Sequence, residues 1–385
     1  MRRQAAIFSA LLAALALPGS AFAAEAPASG DTDSATVGII GTVPAMCFGG
    51  TLTGDGTFDL GVLVDLTSGQ LRTDLSAPNK LLVGSFCTSR SSITVSATPL
   101  EAQNYTAAAP NGFSRVVHYQ ASAAGWTALP ATYNTGAASN AAATQSRSTA
   151  FTGDITVAIS NFSTAGGASL RLVGDPSYRG VVAVTLAAVT WALRIMLLLP
   201  LLAVAAPAAA QSLTTVTTLP VTGSVPQVCA MQQGAIQSGS LVNVAGLDGD
   251  TLRIIQFVDP ATLSVKAASA TISFEAVCNF PHAVRVESSN NGLWPVDGQI
   301  TQVPGGFAYA VPYTAQVTWG VANAQFSADA KTRRIAQQTI NVEAPAAGQL
   351  NLRIEIAEGA SNVENRAPVI AGTYVDTVRI FLEPR

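Results

Sequence analysis

The chain is poor in charge: only 11% of its 385 residues are Asp, Glu, Lys or Arg, against about 25% in an average soluble protein. Lysine occurs only at Lys80, Lys266 and Lys331, and the formal net charge is -3. A basic stripe able to track phosphates is missing, so nucleic acid is set aside as a partner. Histidine is scarcer still, with His118 and His282 alone. A zinc site or a nucleophilic site needs clustered ligands or a base with an orienting partner, and no such set recurs along the sequence. His118 reads as a strand residue beside Tyr119, and His282 as a loop residue after Pro281. Asp248 and Asp250 in "GLDGD" lack the further oxygen ligands of a calcium loop and read as a polar turn. Phosphate-cradling glycine loops and nucleophile elbows are also missing. The expectation is a protein that is not an enzyme and uses no cofactor.

Long apolar runs are lacking as well. Residues 1–23 carry two arginines, an apolar stretch from Ala5 to Leu17 and a small-x-small end, which is the pattern of a secretory signal peptide cleaved between Ala23 and Ala24. Residues 189–210 repeat that grammar in mid-chain, with Arg194 as the basic flank and a cleavage pattern between Ala210 and Gln211. The core from Ile195 to Ala210 spans 16 residues and is broken by Pro200 and Pro207, short of the ~20 apolar residues of a spanning helix. A second signal, a membrane anchor and a buried helix are the three readings of this segment. Cleavage there yields two subunits, passage uncleaved makes it a linker, and a junction of two reading frames places the seam between Ala188 and Met196. The signal and this segment are the chain's only expected membrane contacts.

What is present is a repeat. "GTVPAMC" (41–47) matches "GSVPQVC" (223–229), "SSITVSA" (91–97) matches "HAVRVES" (282–288), and "SYRGVVAVTL" (177–186) matches "TYVDTVRIFL" (373–382). Phe113, Tyr119 and Trp126 recur as Phe307, Tyr313 and Trp319. Two domains follow, 24–188 and 211–385. Each holds two cysteines, Cys47 with Cys87 and Cys229 with Cys278, and in an exported chain these read as one disulfide per domain. Apolar residues alternate over short runs, as in Ile155-Val157-Ile159, Ile272-Phe274-Ala276 and Leu350-Leu352-Ile354-Ile356, the period of half-buried strands. The fold class is all-β, two immunoglobulin-like sandwiches, with a loop expected over 129–150. "FDLGVL" (58–63) has no good counterpart in the second half, where 242–250 roughly fills its place. Asn104-Tyr105-Thr106 and Asn161-Phe162-Ser163 match the glycosylation sequon, a pattern common by chance.

The segment leading into each domain alternates too: Val37, Ile39, Gly41 and Val43 in the first, Leu219, Val221, Gly223 and Val225 in the second. Such a strand completes its own sheet or adds to the open edge of a neighbour. The "VPAMC" and "VPQVC" starts, "FDLGVL", the strand-ending cysteines of "VGSFC" and "FEAVC", the aromatic strands ending at Tyr119 and Tyr313, and the closing "AGTYVDTVRIFL" (371–382) carry a resemblance. Each half resembles a spore coat protein U domain, the family that includes the subunits of archaic chaperone-usher pili. The first half departs from it at Arg179 and Gly180, where Asp and Thr would stand. The resemblance implies an incomplete sandwich whose missing strand comes from a periplasmic chaperone and then, at an outer-membrane usher, from the next subunit. Residues 31–43 and 213–225 are then the donor strands, and other copies or related subunits the partners. If the linker survives, 213–225 is placed to complement the first domain's groove within the same chain. The function implied is a structural or adhesive subunit of a bacterial surface fibre exported through the periplasm. The alternatives are a self-complete secreted coat, matrix or carbohydrate-binding protein, and a two-domain tip adhesin.

Overall fold

The computed structural model describes residues 37–189, 214–296 and 302–385. The signal peptide, the internal apolar segment from Thr190 onward, and the positions Ala23, Ala24, Ala210 and Gln211 lie outside the described residues. The chain divides into two compact units, Met1–Val43 and Pro44–Arg385. In the smaller unit, residues 37–43 form no strand, and Val37, Ile39 and Val43 are 84%, 95% and 79% exposed. The larger unit is all β. Among the described residues its one helical element is a single 3-10 turn at Ala141–Ala143, and no helix is long and apolar enough to cross a membrane.

Seven long strands build the first sandwich: β1 (Phe58–Val62), β2 (Lys80–Cys87), β3 (Ser91–Ala102), β4 (Val116–Ala124), β5 (Phe151–Thr164), β6 (Asp175–Ala188) and β7 (Thr214–Val225). Hydrogen bonding orders them β2-β5-β4-β3-β6-β7-β1. The path bends between β4 and β3, which share only the pairs Leu100–Val117 and Glu101–Val116. One layer is therefore β2-β5-β4 and the other β3-β6-β7-β1. Alternation decides what faces inward: Ile155 and Val157 of β5, Ile93 and Val95 of β3, and Val182, Val184 and Leu186 of β6 all fall in one buried cluster.

The second sandwich contains β8 (Val244–Asp248), β9 (Thr251–Ile254), β10 (Ala268–Cys278), β11 (His282–Ser288), β12 (Tyr313–Trp319), β13 (Ala322–Ala328), β14 (Ala336–Val342), β15 (Ala346–Ile356) and β16 (Val378–Pro384). One sheet runs β10-β15-β12-β13 and the other β14-β11-β16, with β8 and β9 paired to each other. Its buried cluster is separate and gathers Ile272, Val284, Val286, Val317, Trp319, Leu350 and Leu352. Both disulfides form, Cys47–Cys87 and Cys229–Cys278. In each, the two cysteines are direct partners across an antiparallel pair, and closing 40 and 49 residues is worth roughly 4 kcal/mol apiece in the chain-entropy model.

Two sequence expectations are corrected. The stretch 129–150 is not a plain loop, because Ala131–Asn134 pairs with β4 and Thr144–Arg147 with β3. Its small polar residues conceal short edge strands whose pairing comes from their neighbours. His282 is not a loop residue either, since it opens β11 and is fully buried. Its Nδ1 lies 2.8 Å from the Phe280 carbonyl, its ring lies 4.8 Å from that of Trp319, and Nε2 has no hydrogen-bond partner. Burial pulls the imidazole below its ordinary value, against the weaker opposing pull of the Phe280 carbonyl. Above an ordinary histidine pKa of 6.5 both folded and unfolded chains are neutral here. Below it the unfolded chain takes up the proton first, so stability is lost as pH falls toward the lowered folded-state value. The thermal midpoint of the second sandwich, followed by tryptophan fluorescence, is expected to drop between pH 7 and 5, and His282→Phe to flatten that slope.

Candidate functional site

Strand β7 belongs by sequence to the second half and by packing to the first. It runs antiparallel to β6, from Thr214 opposite Ala187 to Val225 opposite Asp175, and parallel to β1, with Val221 opposite Phe58 and Ser224 opposite Val62. Leu219, Val221 and Val225 are fully buried in the first core. The outward residues hold the register: the Thr215 hydroxyl donates to the Cys47 carbonyl at 3.0 Å and the Ser224 hydroxyl to that of Gly61 at 3.3 Å. Gly223 is required by space, because a Cβ there would lie 2.6 Å from Leu63. All four residues singled out in this segment thus sit in one groove between β6 and β1.

In the second sandwich the corresponding edges are unpaired among the described residues. Among the described residues β16 pairs only with β11, and β9 only with β8. Val378, Ile380 and Leu382 of β16, with Leu252 and Ile254 of β9, remain only partly buried against the core, whereas Val182, Val184 and Leu186 of β6 are 2% exposed or less. The counterpart of β1 is β9, a correction to the expected 242–250. The loop that follows each strand has the same frame. Val64 bridges Leu71 and Val258 bridges Val265. Gly69 N–H donates to the Asp65 carbonyl, and Leu263 N–H to that of Asp259. The Asp65 carboxylate accepts from the amides of Thr67 and Ser68, that of Asp259 from the amides of Ala261 and Thr262. The Thr67 hydroxyl and the Ser68 amide pull Asp65 down to about 2. Residues 58–65 therefore match 252–259, which puts Phe257 where the first sandwich has Leu63. Its ring lies 5.3 Å from that of Tyr374, the residue that matches Tyr178, which is the strand partner of Gly223 in the filled groove.

A clamp missed at the sequence level fixes how the chain enters each sandwich. Met46 N–H donates to the Thr88 hydroxyl, which donates to the Pro44 carbonyl, and Thr88 N–H donates to the Met46 carbonyl. Asn279 makes the same three contacts: its side-chain oxygen accepts from Val228 N–H, its amide donates to the Pro226 carbonyl, and its N–H donates to the Val228 carbonyl. The residue types differ, so only position after the second cysteine signals the role. Asn279 is 2% exposed, and Asn279→Ala is expected to destabilise the second sandwich by about 2–3 kcal/mol by orphaning buried groups. Thr88→Ala, at an exposed site, should cost under about 1 kcal/mol; paired chemical denaturation curves check both.

The aligned repeat puts Gly180 and Val181, rather than Arg179 and Gly180, opposite Asp376 and Thr377, and this departure has a physical account. In the second sandwich Asp376 accepts from the Tyr313 and Ser288 hydroxyls and from the amides of Asn290 and Thr377. In the first, the buried Asp175 supplies the carboxylate from another chain position, accepting from the amides of Asn104, Tyr105 and Ser177. The Asn104 side-chain amide, the sequon nitrogen, also donates to it.

No family model and no curated protein matches the chain. Two of the solved structures that match it are pilus proteins. One is the chaperone–tip adhesion subunit pre-assembly complex CsuC–CsuE from archaic chaperone-usher Csu pili of Acinetobacter baumannii, at 12% identity and a TM-score of 0.29, covering 86% of this chain and 99% of that one. The other is the CupB6 tip adhesin from Pseudomonas aeruginosa, at 13% identity and a TM-score of 0.28, covering 86% and 94%.

Proposed function

We propose that the chain is a two-domain subunit of an exported bacterial surface fibre, built from tandem strand-deficient sandwiches and joined to its neighbours by donor strands. The observation that carries this reading is the contrast between the two grooves, one closed by β7 and the other lined with partly buried Val378, Ile380 and Leu382 and, among the described residues, with no strand paired between β16 and β9. An uncovered apolar groove with unpaired backbone on both sides is an aggregation hazard unless a strand fills it. The chain holds a second segment of the right pattern, Val37, Ile39, Gly41 and Val43, which is exposed and forms no strand. By the repeat these positions match Leu219, Val221, Gly223 and Val225, and Gly41 is the residue that would meet Phe257. The disulfides and the signal pattern of residues 1–23 fit export through the periplasm, where a chaperone holds the open groove until an usher delivers the next subunit. A self-complete secreted coat or matrix protein is disfavoured by the unfilled edge of β16. A tip adhesin needs a groove at its rear but no donor segment at its front.

The reading is tested by titrating the chain with a labelled peptide of residues 31–43 and following anisotropy. Saturable binding is expected, together with a loss of at least about tenfold in affinity for the Gly41→Val peptide, as overpacking by roughly 1–3 kcal/mol predicts. Equal binding of both peptides, or none, would remove the groove from the mechanism.

A further inference from the structure

Resting on the fibre reading, we propose that loop 258–265 of the second sandwich is a second contact between chains, seated on the Met46–Phe48–Phe86 face of the next copy. The template lies within the chain. The matching loop of the first sandwich packs against the second: Val64, Asp65, Leu66 and Gly69 line one narrow cleft with Val228, Val277 and Asn279. Gly174 N–H donates to the Asn279 carbonyl across the same junction, and Val277 packs against the first core. The face that receives the loop is thus built from the residue before the first cysteine of the second sandwich, and from those on either side of the second.

Its counterpart on the first sandwich is partly exposed among the described residues. Met46, Phe86 and Thr88 hold the positions of Val228, Val277 and Asn279 relative to the paired cysteines. Phe86 is half-buried, Phe48 is 43% exposed, and the two rings lie 5.7 Å apart. Met46, Phe48 and Phe86 are bulkier and more apolar side chains than Val228, Val277 and Asn279. The loop that would meet it differs in a complementary way. Where the first loop has Gly69 at φ +70°, the second has Leu263 at φ +58°, a left-handed backbone that disfavours a leucine side chain. The loop frame is otherwise the same: the backbone carbonyl accepts from Leu172 N–H at Gly69 and from Val369 N–H at Leu263. A strained apolar residue, 48% exposed at the position that marks the intrachain junction, is what a contact surface for aromatic rings requires. Gly69 and Val277 line the same cleft, where a side chain at position 69 would first meet Arg171; the larger Leu263 is left for the larger Phe86. Donor strand 31–43 would bring the two surfaces together, because the Thr88 clamp fixes the path from that strand into its sandwich as the Asn279 clamp does for β7.

The test is disulfide trapping in assembled chains. One batch carries Leu263→Cys and a second carries Phe86→Cys; they are mixed, allowed to multimerise and oxidised. Pro260→Cys with Met46→Cys is the second pair, and Val321→Cys, at the fully exposed hairpin tip between β12 and β13, replaces Leu263→Cys as the control. Both test pairs are expected to trap an interchain dimer at least about tenfold faster than the control, as proximity at an effective concentration near mM demands. Multimers that trap neither pair faster than the control would overturn the loop contact while leaving donor-strand joining intact. Failure to form multimers at all would overturn both.

Discussion

A chain ending at Ala188 is expected to be an aggregating species that a peptide spanning residues 211–228 returns to solution. Removing β7 uncovers the edges of β6 and β1 and forfeits the burial of Leu219, Val221 and Val225. At roughly 1.5–3 kcal/mol for each fully buried side chain the loss is about 5–9 kcal/mol, an upper estimate because unfolded chains already bury some surface. That is comparable with the whole stability of a typical domain, about 5–15 kcal/mol. Light scattering of fragment 24–188 with and without the peptide reads the effect. A soluble fragment that melts cooperatively without the peptide would mean the first sandwich completes itself.

Cutting the chain between residues 190 and 213 is expected to leave its two pieces together. Ala187 of β6 and Thr214 of β7 are direct antiparallel partners, so the strand ends are neighbours whether or not the intervening residues are continuous. After the cut, β7 still contributes a ladder on each side, the buried trio above and the Asn279–Gly174 contact at its exit. A chain with an engineered protease site in this interval should therefore elute from gel filtration as one species after cleavage and separate only in denaturant. Pieces that part under native conditions would show that β7 is held by its tether. The same result bears on the seam read in the sequence, because two separately exported subunits would meet through the same strand.

Period-2 alternation made the strands legible, and it made β7 legible as a strand with one buried face, because Leu219, Val221 and Val225 fall on the same side with Gly223 between them. Alternation says which residues share a face and nothing about which strands lie next to them, so the sequence left the filling of the first groove as one option among several. The counterpart of "FDLGVL" was hidden for a related reason. Residues 252–259 keep the alternation and the closing Val-Asp but replace Gly61 with Ile255, and the loop after them replaces Gly69 with Leu263, removing the glycines by which the turns could be matched. Thr88 and Asn279 escaped notice because two different side chains make one set of hydrogen bonds. Asp175 and Asp376 escaped because two carboxylates at different chain positions cap the turn after equivalent strands. In each case the conserved quantity is a backbone group needing a partner, which a comparison of letters does not register.

The central claim, that one chain's residues 31–43 fill the second groove of another, is tested most directly by unheated denaturing electrophoresis of the purified mature chain. The account predicts a ladder rising in steps of one whole two-domain chain, lost on heating and lost in a chain lacking residues 31–43. A single band at the mass of one chain, unchanged by concentration and by that deletion, would contradict it.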